Sequence, residues 1–290
     1  MKKNLLTLLM AVAMIATANA EWKIVGDKIR TSWAENIDPQ NVLPEYPRPQ
    51  LERGEWVNLN GLWDYAITDL TAAQPTTFDG QILVPFAVES ALSGVQKRIT
   101  KDNLLWYSRT FTVPTSWASK RVMLNFGAVD WSAEVYVNGI LVASHTGGYA
   151  PFSADITAAL NKKGTQSLVV RVWDPTDSVH NPVGKQRLNP SGIWYTAVSG
   201  IWQTVWMEAV SKANHIEGIT TDCDITRSEL YINTATANNN GTLKIEVKDG
   251  DTTVASTSVL CGVTAVLPIA DAKLWTPNTP HLYTLKLTLT

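Results

Sequence analysis

The sequence predicts an all-β protein made of two sandwich domains, and three observations support this. From Trp63 onward, short segments alternate apolar and polar residues between turn signals, and almost no stretch has the 3.6-residue period of a helix. The 290 residues are too many for one ordinary domain and too few for three. Because only 17% of the residues are charged and 45% are hydrophobic, the chain can bury a large core.

Residues 1–20 have the features of a secretory signal peptide. Lys2 and Lys3 give a positive start, residues 5–16 form a short apolar run, and small residues precede a cleavage site after Ala20. This run is too short to span a bilayer, and no later stretch reaches about 18 apolar residues. We therefore expect a periplasmic or extracellular protein without a membrane anchor.

Residues 21–54 contain four prolines and the aromatic residues Trp22, Trp33 and Tyr46. A free linker rarely contains this many aromatic side chains, since it has no core in which to bury them. We expect this segment to form an ordered strap over the first sandwich.

Residues 55–212 form the first predicted domain. Residues 122–126 alternate as a strand, and Asn138-Gly139 is a strong signal for a β-hairpin because both residues tolerate a positive φ. Residues 168–173 alternate and end at a proline, which stops the strand ladder. Residues 155–160 suggest a brief helical turn.

Residues 215–290 form the second predicted domain. The composition changes at residues 211–214, because eleven of the twelve tryptophans precede this point. Short strands follow at 230–236, 242–247 and 254–258, separated by Asn- and Gly-rich turns, and this spacing predicts an immunoglobulin-like sandwich. In an oxidising compartment Cys223 and Cys261 could form a disulfide, and the alternative is two separate buried thiols.

Charge and residue spacing exclude several functions. Lys plus Arg total 24 and Asp plus Glu total 26, without runs of either sign, so neither nucleic acid nor anionic lipid is an expected partner. The four histidines are far apart and the two cysteines are isolated, so we expect no metal and no cofactor. Gly147-Gly148 is interpreted as a tight turn, since no helix follows it to hold a phosphate.

Spacing alone does not exclude a nucleophilic triad, although no Ser lies in a Gly-x-Ser-x-Gly motif that would position it. Carbohydrate chemistry is the other class that the sequence leaves open. Asp174 and Asp177 follow the strand at 168–173, where a loop could present their carboxyl groups to a glycoside, whereas the alternative is that Asp174 only caps the turn. Trp202 and Trp206 alternate onto one face. That arrangement fits a packed layer between sheets as well as an exposed sugar-stacking strip.

An ordered series of motifs resembles the N-terminal half of glycoside hydrolase family 2 enzymes, particularly secreted β-galactosidase-like members. The motifs are residues 45–50 (EYPRPQ), 56–63 (WVNLNGLW), 106–111 (WYSRTF), 129–131 (VDW), 137–139 (VNG), 145–149 (HTGGY), 173–177 (WDPTD), 184–186 (GKQ) and 199–203 (SGIWQ). The resemblance implies a jelly-roll, galactose-binding-like sandwich followed by an immunoglobulin-like sandwich.

The resemblance also implies a retaining β-glycosidase acting on an oligosaccharide or glycoside substrate. In this family both catalytic glutamates lie on a (β/α)8 barrel that follows the second sandwich and takes about 250 residues, whereas 290 − 215 = 75 residues follow His215. We therefore expect no catalytic residue in this chain, a second domain that is truncated, and no turnover. The alternatives are a stand-alone carbohydrate-binding module and, less favoured, an adhesin or structural stalk.

One binding residue is implied by the resemblance. In some β-galactosidases of the family, an acidic residue at the end of the corresponding strand helps to bind the sugar, and Asp174 is the matching position. A second contact of the family, an asparagine, has no clear counterpart, because Asn103 lies in a loop that does not align. A binding module would instead need exposed aromatics, and Trp106, Trp131 and Trp173 are the residues to inspect.

Overall fold

The computed structural model describes residues 22–26, 30–48 and 50–290, so the predicted signal peptide lies outside the described residues. Within those ranges the regular elements are twenty strands and three 3-10 helices, at Ser32–Asn36, Thr115–Trp117 and Thr157–Ala159. The predicted all-β class is confirmed, as is the helical turn predicted at 155–160. No helix in the described ranges is long and apolar enough to cross a membrane.

The first sandwich contains fourteen strands. They are β1 (Trp56–Asn58), β2 (Gly61–Asp69), β3 (Gly80–Val84), β4 (Asn103–Phe111), β5 (Arg121–Phe126), β6 (Val129–Asp130), β7 (Ser132–Val137), β8 (Ile140–Thr146), β9 (Phe152–Asp155), β10 (Gln166–Trp173), β11 (Gln186–Arg187), β12 (Tyr195–Thr196), β13 (Gly200–Ile201) and β14 (Val205–Val210). Two antiparallel sheets, ordered β3-β2-β4-β10-β7-β8 and β1-β14-β5-β9, face each other as the jelly roll predicts.

The core of this domain lies between the two sheets. Leu124 and Met207 project from the four-stranded sheet, and Tyr107 and Val170 project from the six-stranded sheet; all four are fully buried. Each such side chain contributes about 1.5–3 kcal/mol through removal of apolar surface from water. The alternation seen in the sequence therefore reflects one face of each sheet turned toward this core.

The predicted Asn138-Gly139 hairpin is confirmed between β7 and β8. Asn138 and Gly139 have φ angles of 51° and 79°, and Val137 pairs with Ile140. Two successive residues with positive φ are the mark of a type I′ turn, whose twist matches that of the flanking strands.

The second sandwich contains six strands in two three-stranded sheets. They are β15 (Ile216–Asp224), β16 (Glu229–Thr236), β17 (Thr242–Asp249), β18 (Thr252–Leu260), β19 (Ala265–Pro268) and β20 (Thr284–Leu289). The sheet orders are β15-β16-β19 and β18-β17-β20. Ile232, Ile245 and Leu267 fill the core between them. The predicted immunoglobulin-like sandwich is confirmed.

Trp202 and Trp206 do not share a layer between the two sheets. Trp202 precedes β14 and is half-buried in a loop. Val205 and Met207 face the inter-sheet core, so Trp206 faces the opposite side of β14. It is nevertheless only 2% exposed, because the strap covers it, with the guanidinium of Arg48 5.3 Å from its ring centre.

Both cysteines are free. Cys223 is exposed on β15, and Cys261 is half-buried just after β18, where its thiol lies 3.4 Å from the carbonyl oxygen of Asn240. The possible disulfide is therefore absent between these residues, and the alternative of two buried thiols is wrong for Cys223.

The strap lies against β1. The side chain of Asn58 donates hydrogen bonds to the carbonyl oxygens of Val42 and Leu43, at 3.0 and 2.9 Å. The rings of Tyr46 and Trp56 meet edge to face with centroids 5.3 Å apart. These contacts place residues 42–46 of the strap on the outer face of the four-stranded sheet.

Candidate functional site

Three carboxyl groups are buried at one end of the first sandwich. Glu89 follows β3, Asp130 ends β6 and Asp174 follows β10, and these residues are 7%, 4% and 1% exposed. Three acidic side chains at such low exposure are unusual, because burial disfavours the charged form. We call Glu89, Asp130 and Asp174 the acid cluster.

Ser199 joins two members of the acid cluster. Its backbone N–H donates to Glu89 Oε2 at 3.0 Å, and its hydroxyl donates to Asp174 Oδ2 at 2.5 Å. The other oxygen of Asp174 accepts the backbone N–H of Thr176 at 2.7 Å. Asp174 therefore caps the turn, and each of its carboxylate oxygens accepts a hydrogen bond.

Two polar atoms beside these bonds have no partner in the described part of the chain. They are Oε1 of Glu89 and the hydroxyl of Thr176, and both are buried. Thr176 has a φ of 49°, in the left-handed region that a β-branched residue rarely adopts. The turn that presents Asp174 is therefore held in a costly conformation by the structure around it.

Burial changes the acidity of the whole cluster. It raises the pKa of Glu89 to about 7 and the pKa of Asp130 to about 6, and the negative charge of Asp174 contributes to both shifts. Burial also raises the pKa of Asp174 itself, against the hydrogen bond from Ser199. Near neutral pH the cluster can therefore hold protons that exposed carboxylates would have lost.

Gly148 allows the chain to pass close to Asp130. A Cβ atom on Gly148 would lie 2.3 Å from the Asp130 carboxyl group, so no other residue fits without a shift. Trp202 Nε1 donates to the carbonyl oxygen of Gly148 at 2.7 Å, and Gly147 has a φ of 125°. The interpretation of Gly147-Gly148 as a tight turn is confirmed.

A segment that includes the short strands β11 and β12 lies beside Asp130 of the acid cluster. Gln186 connects it to the cluster, because Nε2 donates to Asp130 Oδ2 at 3.1 Å and to the Tyr149 hydroxyl at 3.2 Å. Trp194 and Tyr195 in this segment are 39% and 62% exposed. We call residues 185–196 the aromatic loop.

Two basic side chains lie against the rings of the aromatic loop. The guanidinium of Arg187 is 3.9 Å from the centre of the Trp194 ring, and Lys185 Nζ is 5.5 Å from that of Tyr195. Cation–π contacts of this kind hold an exposed ring in place. The loop therefore presents aromatic surface with positive charge beside it.

The other predicted residues do not join the acid cluster. Asp177 is exposed, accepts the backbone N–H of Leu188 at 3.1 Å and lies 3.7 Å from Arg187. The side chain of Asn103 accepts two hydrogen bonds from Thr100 and so holds a local turn.

The tryptophans singled out in the sequence are mostly packed. Trp106 is 4% exposed in a small cluster on the outer face of the six-stranded sheet, and Trp131 and Trp173 are half-buried. The exposed aromatics at this end are instead Tyr149, Trp194 and Tyr195, which sequence reasoning missed.

No group of three or more His, Cys, Asp or Glu side chains in ranges 22–26, 30–48 and 50–290 is arranged to hold a metal ion.

The chain is a jelly-roll sandwich followed by an immunoglobulin-like sandwich, with acidic and aromatic residues gathered at one end of the first. Two family models match the sequence. "Glycosyl hydrolases family 2, sugar binding domain" matches residues 90–209, and "Glycosyl hydrolases family 2" matches residues 210–290. The chain belongs to glycoside hydrolase family 2.

Individual relatives agree with this assignment. The chain is 27% identical to a β-glucuronidase of Paenibacillus borealis over 84% of this chain and 44% of the relative. It is 27% identical to a β-galactosidase of Bacteroides ovatus over 79% of this chain and 29% of the relative. A β-glucuronidase structure from Faecalibacterium prausnitzii superimposes with a TM-score of 0.66 at 26% identity, covering 85% of this chain and 46% of that one. The chain thus spans less than half the length of these relatives.

Proposed function

We propose that this chain is the N-terminal, non-catalytic part of a secreted retaining β-glycosidase of the β-galactosidase-like type. In the whole protein a barrel domain would hydrolyse O-glycosyl bonds of an oligosaccharide or glycoside. The observation that carries the proposal is that both sandwiches match family 2 while together they span less than half of the relatives.

The burial of the acid cluster supports placing the chemistry elsewhere. A retaining enzyme needs two carboxyl groups about 5–5.5 Å apart that both reach the glycosidic bond. Glu89 and Asp174 are 7% and 1% exposed, and Ser199 donates a hydrogen bond to each. A sugar ring cannot enter between them in this arrangement, so the nucleophile and the acid/base are assigned to the barrel.

Asp174 remains the proposed sugar-contacting residue. Its Oδ2 accepts a hydroxyl hydrogen bond from Ser199, which is the same type of bond that a sugar hydroxyl donates. Contact would require the segment after Asp174 to move aside, so that a sugar hydroxyl replaces that of Ser199. Pro175 and Thr176 of this segment are buried, whereas residues 177–180 are exposed, and such a movement would break the hydrogen bond from the Leu188 N–H to Asp177.

Hydrolysis assays test the proposal. The purified 290-residue protein should not release nitrophenol from the galactoside, glucuronide or mannoside, whereas a complete family 2 enzyme assayed in parallel should. Clear turnover of any of these substrates by the short protein would contradict the proposal.

A second candidate function is a stand-alone carbohydrate-binding module, and the exposed aromatic surface favours it. Tyr149, Trp194 and Tyr195 are 55%, 39% and 62% exposed at one end of the sandwich, where sugar rings could stack on them. In this case calorimetry should show saturable binding of a glycan, and Trp194→Ala should abolish it.

The matched control for that experiment is Trp33→Ala. Trp33 is 77% exposed in the 3-10 helix of the strap, so its loss removes a still more accessible indole elsewhere in the chain. Binding should survive this change. A flat titration across plant and mucin glycans would count against the binding module.

A further inference from the structure

Glu208 is a buried carboxylate that the acid cluster does not include. It lies on the strap-covered face of β14 and is 2% exposed. Tyr46 donates its hydroxyl to Glu208 Oε1 at 2.5 Å, and Arg48 donates to the same oxygen. The strap therefore supplies both a neutral donor and a positive charge to this carboxylate.

Arg53 connects Glu208 to the second sandwich. Its Nε donates to Glu208 Oε2 at 2.9 Å, while Nη2 donates to the backbone carbonyl oxygen of Ile216, the first residue of β15. One planar guanidinium thus bonds to the last long strand of the first sandwich and to the first strand of the second. Two residues earlier, Leu51 packs against the core of the second sandwich.

An open cavity lies at the boundary between the sandwiches beside this contact. Its volume is about 180 Å³, and its lining combines the polar side chains of Arg48, Arg53, Glu208, His215 and Glu217 with Met123 and Val210. Apolar contact across this cavity is incomplete, so the directional hydrogen bonds of Arg53 contribute to the orientation of the two sandwiches.

The chain that joins the sandwiches does not fix their orientation by itself. Lys212 and Ala213 are exposed, and the Asn214 side chain donates to the carbonyl oxygen of Asn240 within the second sandwich. His215 Nδ1 lies 3.2 Å from the carbonyl oxygen of Ser211. These contacts are local, whereas the Arg53 contact spans 155 residues to Glu208.

We propose that the strap is an interdomain clamp, in which Arg53 and Glu208 hold the second sandwich in one orientation on the first. Arg53 is a positioning residue, because it acts by fixing two other elements. A lysine cannot replace it, since an ammonium lacks the planar fork that reaches a carboxylate and a carbonyl at once.

Distance measurements between spin labels test the clamp. Native Cys223 on β15 is exposed and carries one label, Thr110→Cys on β4 carries the second, and Cys261→Ser removes the remaining thiol. The otherwise unchanged protein should give one narrow distance distribution. Arg53→Ala and Arg53→Lys should each broaden it at least about twofold, as expected when a planar two-acceptor contact is lost.

The control variant is Arg227→Ala, because Arg227 is exposed and its side-chain partners, Asp224 at 3.7 Å and Tyr231, both lie within the second sandwich. Its distance distribution should match that of the parent protein. A parent distribution that is already broad, or an Arg53→Ala distribution as narrow as the parent's, would overturn the clamp.

A protease measurement covers the case in which Arg53→Ala folds poorly. Lys212 is exposed between the sandwiches, so trypsin cleavage after it reports how freely this segment opens. In Arg53→Lys, with a native circular dichroism spectrum, cleavage after Lys212 should be several-fold faster than in the parent. An unchanged rate would contradict the clamp.

Discussion

Glu89 and Asp174 accept hydrogen bonds from the same residue, Ser199, one from its backbone N–H and one from its hydroxyl. Glu89 and Ser199 are 110 residues apart in the sequence. The contact therefore ties the loop after β3 to the segment before β13. In this contact Ser199 supplies both donors, and the buried carboxyl groups of Glu89 and Asp174 are the acceptors. The strength of the two hydrogen bonds therefore depends on whether these carboxyl groups are protonated.

Replacing Glu89 by Gln should remove a pH-dependent loss of stability. Burial raises the pKa of Glu89 from 4.5 to about 7, so the folded chain holds this proton more tightly than the unfolded chain. The contribution of Glu89 to the free energy of unfolding is therefore highest below pH 4.5. It falls by up to about 3 kcal/mol as the pH rises through about 7. Urea unfolding of Glu89→Gln should therefore show a smaller decline between pH 5 and pH 8 than the parent.

Asp102→Asn is the control for this experiment, because the Asp102 side chain is 72% exposed. Its decline over the same pH range should equal that of the parent. If Glu89→Gln declined as steeply as the parent, Glu89 would not be the titrating group.

Two replacements of Asp174 should differ in stability, because only Asn can still bond to both Thr176 and Ser199. Asn keeps an acceptor for the Thr176 N–H, and the Ser199 hydroxyl can rotate to accept from the new amide. Ala leaves both buried donors without partners. Unpaired buried groups cost about 1–3 kcal/mol each, so Asp174→Ala should unfold at a clearly lower urea concentration than Asp174→Asn. Equal midpoints for Asp174→Ala and the parent would refute the turn-capping role.

Asn138 should be required for more than its backbone conformation. Its Nδ2 donates to the Ala159 carbonyl oxygen at 2.8 Å and to Gln166 Oε1 at 2.7 Å, and its Oδ1 accepts the Ser167 N–H at 2.9 Å. Asn138→Gly loses these three hydrogen bonds but still adopts the positive φ easily. Asn138→Ala loses the hydrogen bonds and also disfavours the positive φ. We expect losses of about 1–3 kcal/mol for Gly and about 1 kcal/mol more for Ala in denaturant unfolding. A Gly variant as stable as the parent would show that the side-chain bonds contribute nothing.

Glu208 should have the opposite pH dependence to Glu89. Burial alone would raise its pKa, but hydrogen bonds from Tyr46 and Trp206 and the charge of Arg48 reverse this and lower it. A carboxylate whose pKa is lowered in the folded chain stabilises the fold above pH 4.5. This stabilisation is lost as the pH falls through the pKa that the group has in the folded chain. Glu208→Gln should cost about 3–5 kcal/mol at pH 7, and this difference from the parent should shrink toward pH 3.

Glu217→Gln is the control here, since the Glu217 side chain lies in the same cavity and is 54% exposed. Its stability should stay within about 0.5 kcal/mol of the parent at every pH. A Glu208→Gln penalty that is independent of pH would indicate lost packing instead of a lost charge.

Local patterns predicted the strands and the hairpin because their causes are local. Asn138-Gly139 sets its own turn, and alternation records which side of a strand is buried. β14 shows the limit of this reasoning, because all six of its residues are buried. The strap covers the outer face, so alternation around Trp206 could not reveal which face meets the other sheet.

The acid cluster could be predicted only in part. Asp174 follows a strand within a recognisable motif, and Asp130 and Ser199 lie in other motifs of the same series. Glu89 has no local signal, since only the tertiary fold brings it to Ser199. The exposed rings of the aromatic loop likewise depend on how residues 185–196 fold beside Asp130, which spacing along the chain does not record.

The central claim is that the catalytic carboxylates belong to a domain after the second sandwich. The most direct test is to read the gene beyond the codon for Thr290. We predict an open frame continuing for about 250 codons or more, enough for a (β/α)8 barrel with two inward-facing glutamates. An immediate stop codon in the intact gene would contradict it and favour the stand-alone carbohydrate-binding module.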